Sequence, residues 1–215
     1  MSTAVEAIGF VICLISWLAT GVALANDYWK ISSVHGDIII SIREFQNLWH
    51  ACAENSAGMA ECRDFESMLN LPVYVQACRA LMIIALLLGL CSMIVALLGV
   101  KCIKIGSAND QSKAKLALAG GLISILAGLC TMTAISWYAN SIVQEFHDPY
   151  YGGVRYEIGA GLYIGWTGGL LALLGGGLLC CVCRRLSPQQ GVYPAKGAQK
   201  VYKAVSDPDK PTAYV

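Results

Sequence analysis

Charge is scarce in this sequence. Asp, Glu, Lys and Arg supply 13% of its 215 residues, and 15 bases against 14 acids leave a net charge of +1. A soluble globular domain is about a quarter charged, and a nucleic-acid partner requires a basic face, so neither is expected here. Catalytic signatures are missing as well. The three histidines, His35, His50 and His147, have no Gly-x-Ser-x-Gly or HExxH beside them and read as solvated or turn positions. No Lys-Ser/Thr pair follows Gly175-Gly176-Gly177, which excludes a phosphate loop; these glycines read simply as common membrane-helix residues. No enzyme activity, cofactor or metal is therefore expected. Asn55-Ser56-Ala57 and Asn140-Ser141-Ile142 both miss the third position of an N-glycosylation sequon, which leaves the outer surface bare.

What is abundant is apolar sequence. Hydrophobic residues make up 56% of the chain, with mean hydropathy +0.57, and lipid is the solvent that suits such a composition. Four charge-free stretches, starting near Ala7, Ala80, Leu116 and Ile158, each approach or exceed the roughly 20 residues that cross a bilayer as a helix. Lys101, Lys104, Lys113 and Lys115 lie between the second and third, and Arg184 and Arg185 follow the fourth. Basic loops stay inside, so both termini are expected to be cytoplasmic. The expected division is residues 1–26 (N-terminus and first helix), 27–79 (first outside segment), 80–100 (second helix) and 101–115 (cytoplasmic loop). It continues with 116–143 (third helix and its extracellular extension), 144–157 (second outside segment), 158–183 (fourth helix) and 184–215 (cytoplasmic tail). Ala23-Leu24-Ala25 resembles a signal-peptidase site, but the only charge before that apolar run is Glu6 where a leader carries bases, so the first helix is expected to be retained. Small residues at four-residue steps, Gly161/Gly165/Gly169 and Gly120/Ser124/Gly128, predict close helix contacts and a compact bundle.

The first outside segment reads as a small sheet. Residues 28–34 and 37–42 are β-rich around a His35-Gly36 turn, and residues 47–53 face 60–65 across Asn55, Ser56 and Gly58. Cys52 and Cys62 lie across that second pair on the oxidising side, where a disulfide is the natural assignment. Cys13, Cys91 and Cys130 lie in spans and read as packing residues, and Cys78 as a buried cysteine beside Arg79. Cys102, Cys180, Cys181 and Cys183 border the cytoplasmic membrane edge, where palmitoylation occurs; a metal cluster there lacks a histidine or a second cysteine pair. From Leu186 onward the chain has too little apolar content to fold alone, and it ends in a valine and free carboxylate of the kind a PDZ groove binds.

Trp29, then Asn47-Leu48-Trp49 with Cys52, then Cys62, followed by Arg79 and a terminal Tyr214-Val215, resembles the claudins, the four-span proteins of tight junctions. The pattern covers nearly the whole chain apart from residues 184–210. The runs Ser67-Met68-Leu69, 76–83, 134–139 and Tyr156-Glu157-Ile158-Gly159 are most similar to the pore-forming members of that family. The resemblance implies a left-handed four-transmembrane-helix bundle under an antiparallel sheet with a fifth strand near Arg155. It also implies polymerisation with other subunits in the same membrane and in the next cell, and attachment of the tail to junctional PDZ scaffolds. By the same resemblance Met68 docks into a neighbour's pocket formed by Phe146, His147 and Ile158, with His147 standing where an aromatic carbocycle is usual.

A cation-preferring paracellular pore is the expected activity. Between Trp29 and Arg79, six acids (Asp37, Glu44, Glu54, Glu61, Asp64, Glu66) face three bases (Lys30, Arg43, Arg63), a net charge of −3. The resemblance singles out Asp64. At Asn55 the usual acid is missing, and Glu54 substitutes for it only if its side chain reaches the lumen. The alternatives are a barrier-forming or anion-selective claudin, or an accessory subunit of the PMP22 or calcium-channel-gamma kind. A tetraspanin-like organiser would carry its long cysteine-rich segment between the third and fourth spans instead.

Overall fold

The computed structural model describes residues 2–33, 42–65, 71–99, 110–150 and 154–186. Backbone groups in lipid must be satisfied within their own segment, which is why the long apolar runs become helices. In chain order the elements are α1 (Ser2–Ala25), β1 (Lys30–Ser32), β2 (Ile42–Gln46), β3 (His50–Asn55), β4 (Ala60–Asp64), α2 (Val73–Gly99), α3 (Asp110–His147), β5 (Tyr156–Ile158) and α4 (Ala160–Leu186). All four helices are long and apolar enough to cross a membrane. Helix α2 starts directly after Pro72, whose carbonyl accepts from Val75 N at 3.0 Å. It therefore begins ahead of the charge-free stretch and carries Arg79 inside its length. At 38 residues, α3 is about 57 Å long, well beyond the roughly 30 Å of hydrocarbon.

Helix α2 packs along α3, α1 along α4, and α3 along α4; α1 meets α2 only lightly. Small residues set these distances. A methyl group on Gly128 would come within 2.9 Å of Ala172 Cβ, and one on Gly169 within 2.8 Å of Met132. The glycine triplet in α4 is more than common composition. A Cβ on Gly175 would meet Cys13 Sγ of α1 at 2.7 Å, and one on Gly176 would meet Gly121 O of α3 at 2.6 Å, whereas Gly177 faces open space. Hydroxyls add short bonds across the same seams: Ser16 Oγ donates to Gly168 O and Ser92 Oγ to Gly120 O, both at 2.8 Å. Such bonds satisfy polar groups in hydrocarbon while holding helix registers.

The sheet runs β4-β3-β2-β1-β5, antiparallel at each pairing. Two strands reach further along the sequence than their β-rich runs suggest. The described part of β2 is Ile42–Gln46, past the end of the 37–42 run, because Phe45 is the apolar side chain that buries, opposite Ile31 of β1; residues 37–41 lie outside the described residues. Strand β3 starts at His50 rather than Asn47, because Asn47 is consumed by a turn described below. The expected His35-Gly36 turn lies outside the described residues. Strand β5 pairs with β1 through Lys30–Ile158, and Gly159 N and Gly161 N donate to Trp29 O and Tyr28 O at 2.9 and 2.8 Å, which fixes the start of α4 against the sheet. The main core sits at this junction of sheet and bundle and includes Trp29, Leu48, Met82, Ile135, Tyr138 and Leu162.

Candidate functional site

The Trp-Asn-Leu-Trp-Arg residues singled out in the sequence form the mount of the sheet. Trp29 is fully buried; its Nε1–H donates to Ala23 O at 2.7 Å and its ring meets Tyr138 edge-on at 5.1 Å. A strand is thereby tied to the end of α1. Asn47 Oδ1 accepts from Trp49 N at 2.7 Å and His50 N at 2.8 Å, an Asx turn of the kind short amide side chains build. Leu48 fills the core beneath that turn, and its carbonyl accepts from Arg79 Nε at 2.6 Å. The Arg79 guanidinium lies 5.1 Å from the Trp49 ring and 5.6 Å from the Phe65 ring. These residues hold the β2–β3 turn to α2 from two sides. Lys30, on β1, lies over the Tyr156 ring at 4.4 Å and 3.9 Å from Glu145 Oε2. Burial pushes its ammonium below the ordinary lysine range, and Glu145 opposes that shift only in part.

Cys52 and Cys62 are bonded, across directly opposed positions of β3 and β4. Register then decides which charges share a face, since opposed residues point the same way and neighbours along a strand point oppositely. Asp64 opposes His50, and Glu54 opposes Ala60 and Arg43, so Asp64, Glu54 and the disulfide occupy one face. Asn55, Glu44, Glu61 and Arg63 occupy the other, where a groove of about 400 Å³ is lined by Glu44, Gln46, Glu61, Arg63 and Tyr156. Glu54 and Asn55 therefore point to opposite sides of the sheet. Asp64 is almost fully solvent-exposed, at 94%.

Phe146, His147 and Ile158 come together, lining a cavity of about 290 Å³ with Ile142, Val143, Tyr156, Glu157 and Tyr163 at the end of α3 nearest the sheet. His147 Nδ1 is 2.9 Å from Val143 O, and Arg155 lies over the Phe146 ring at 5.7 Å. Met68, Cys102, Tyr214 and Val215 lie outside the described residues, as does the Cys183 side chain. Of the other membrane-edge cysteines, Cys181 is exposed, whereas Cys180 is half-buried with its thiol 3.8 Å from Leu118 O. Cys78 is buried, donating to Ala134 O at 3.2 Å.

His50, expected as a solvated or turn position, instead lies half-buried at the start of β3. His50 lies 3.0 Å from Asp27 through Nε2 and 4.0 Å from Asp64 through Nδ1. The signal for it was present in the spacing, because a Cys52–Cys62 pair in an antiparallel ladder also opposes positions 50 and 64.

Four helices long and apolar enough to cross a membrane, carrying a disulfide-stapled antiparallel sheet pinned through Trp29, Asn47, Leu48 and Arg79, define a multi-pass membrane protein with a structured sheet at one end of its bundle. The sequence profile of the PMP-22/EMP/MP20/Claudin family matches residues 3–179. The chain is 44% identical to claudin-15 of Mus musculus over 203 residues, which is 94% of this chain and 88% of that protein. It is 46% identical to claudin-10 of Bos taurus over 202 residues (93% and 87%) and 41% identical to claudin-19 of Homo sapiens over 184 residues (85% and 82%). The chain belongs to the PMP-22/EMP/MP20/Claudin family, whose members are structural proteins rather than enzymes.

Proposed function

We propose that this chain builds tight-junction strands with other claudin subunits and forms a paracellular pore that prefers cations. The observation that supports this reading best is Asp64: a carboxylate 94% exposed on β4, sharing its face with the Glu54 carboxylate. Carboxylates along a confined watery path concentrate cations and repel anions. In this reading Asp64 is the main selectivity residue and Glu54 assists it, while Asn55 marks the opposite, less acidic side.

Asn55 and Arg63 share the groove face, and that observation favours a second reading, a barrier or anion-selective claudin. Sodium chloride dilution potentials across monolayers expressing the chain separate the two. A sodium preference that falls in Asp64→Asn supports the pore; raised resistance with a chloride preference supports the second reading.

Assembly follows from the same resemblance. Met68 of one subunit enters the cavity of Phe146, His147 and Ile158 on its neighbour, a cavity of about 290 Å³ whose lining mixes apolar side chains with His147 and Glu157 and which is large enough for one methionine side chain. Both termini lie in the cytoplasm, the Tyr214-Val215 end binds a PDZ scaffold, and the membrane-edge cysteines carry palmitate, Cys181 foremost because its thiol is exposed.

A further inference from the structure

We propose that His50 is a positioning residue for the cation preference: its imidazole bridges Asp27 and Asp64, and a proton added at Nδ1 pairs Asp64 and weakens the preference in acid. This rests on the pore reading above and assigns its regulation to a named atom.

The hydrogen bonds fix the tautomer. Asn47 Oδ1 receives two backbone donors, Trp49 N and His50 N, so that atom is the oxygen and the other amide atom is Nδ2. Nδ2 donates to Asp27 Oδ1 at 3.0 Å and stands 3.3 Å from His50 Nε2. Nε2 in turn lies 3.0 Å from the same Asp27 oxygen. A carboxylate only accepts, so a neutral ring that bonds Asp27 carries its hydrogen on Nε2; the Asn47 amide nitrogen, which only donates, then spends its hydrogen on the same Asp27 oxygen and not on the ring. Nδ1 is then a lone pair facing Asp64 Oδ1 across 4.0 Å, acceptor against acceptor. A proton taken from solvent at Nδ1 converts this contact into an ion pair.

Imidazole is the side chain whose charge ordinarily changes between pH 5 and 8. Among the described residues the charged groups within 4.0 Å of the ring are Asp27, from the α1–β1 connection, and Asp64, from β4; Asn47 of the β2–β3 turn is the polar neighbour. Asp27 holds the ring in either state, and Asp64 is the partner that gains. A unit charge about 4 Å away in a watery path changes local cation enrichment by about fivefold.

The test uses monolayers expressing the full chain and dilution potentials at pH 7.4 and 5.5. The expected result is a sodium-over-chloride ratio that falls about fivefold in acid for the unaltered chain and is the same at both pH values in His50→Gln and His50→Tyr. A flat ratio in the unaltered chain overturns the proposal, as does an acid drop that survives in an assembled His50 variant. A second measurement needs no His50 substitution. In detergent-solubilised full chain at pH 5.5, the Nδ1 resonance of His50 should differ between the unaltered chain and Asp64→Asn, because only the former offers a carboxylate to that proton; an identical resonance also overturns it. The two readings fail separately. If Asp64→Asn leaves the pH 7.4 ratio unchanged, the pore reading falls. If Asp64→Asn lowers that ratio while His50 proves silent, only the histidine is wrong.

Discussion

Arg79→Gln is the substitution that most directly tests whether the sheet is held by its mount. Arg79 is 7% exposed as a residue, and its guanidinium donates from Nε to Leu48 O at 2.6 Å and lies over Trp49 and Phe65. A hydrogen bond from a charged donor contributes about 1.5–3 kcal/mol, and a guanidinium–ring contact about 0.5–1 kcal/mol when partly solvated. Gln keeps neither the charge nor the reach, so the β2–β3 turn loses about 2–4 kcal/mol of attachment to α2. Local opening then rises roughly 30- to 700-fold, at a factor of ten for each 1.4 kcal/mol. Hydrogen exchange followed by mass spectrometry in micelles reads this directly. Peptides covering residues 42–64 should exchange at least thirtyfold faster, with those of α1 and α4 unchanged. Arg79→Lys, which retains the charge without the planar fork, should fall between the two. If the sheet peptides keep their protection in Arg79→Gln, the turn is held by Asn47 and the disulfide, and the role given to Arg79 is wrong.

Removing the staple should loosen the edge of the sheet alone. Cys52→Ala with Cys62→Ala opens a loop whose closure contributes about 2–3 kcal/mol in the chain-entropy model, so amide protection in β4 should drop by roughly two orders of magnitude while all four helices still insert; unchanged β4 protection would contradict it. Met68→Glu places a carboxylate where the docking reading requires an apolar tip, and freeze-fracture of cells lacking endogenous junctions should then show scattered particles at normal surface expression. Intact strands would refute the docking role.

The parts of this molecule legible in its sequence are those set by local pattern. Long apolar runs dictate helices wherever lipid is the solvent, and the Cys52–Cys62 spacing reaches across one hairpin, so the spans and the staple are readable without tertiary knowledge. Strand limits were less legible because β-propensity does not decide them. Tertiary burial of Phe45 draws β2 beyond its β-rich run, and the Asn47 side chain takes two backbone donors that a longer β3 would have paired. The glycine triplet was opaque for a related reason: whether Gly175 faces a neighbour depends on the rotation of α4, which composition does not carry. The acids show most clearly where pattern ends. Counted along the chain, six acids against three bases give one negative surface, yet among the described residues the pleat divides them, sending Glu54 and Asp64 to the disulfide face with Arg43, and Glu44 and Glu61 to the other face with Arg63. A count of charges therefore cannot predict selectivity, because ions see only the face turned to the pore. It follows that Glu54→Gln and Glu61→Gln, identical in their effect on net charge, must differ in dilution potential if one face lines the path. Asp64 places the larger loss with Glu54→Gln, and equal losses in the two variants would show that both faces border the path.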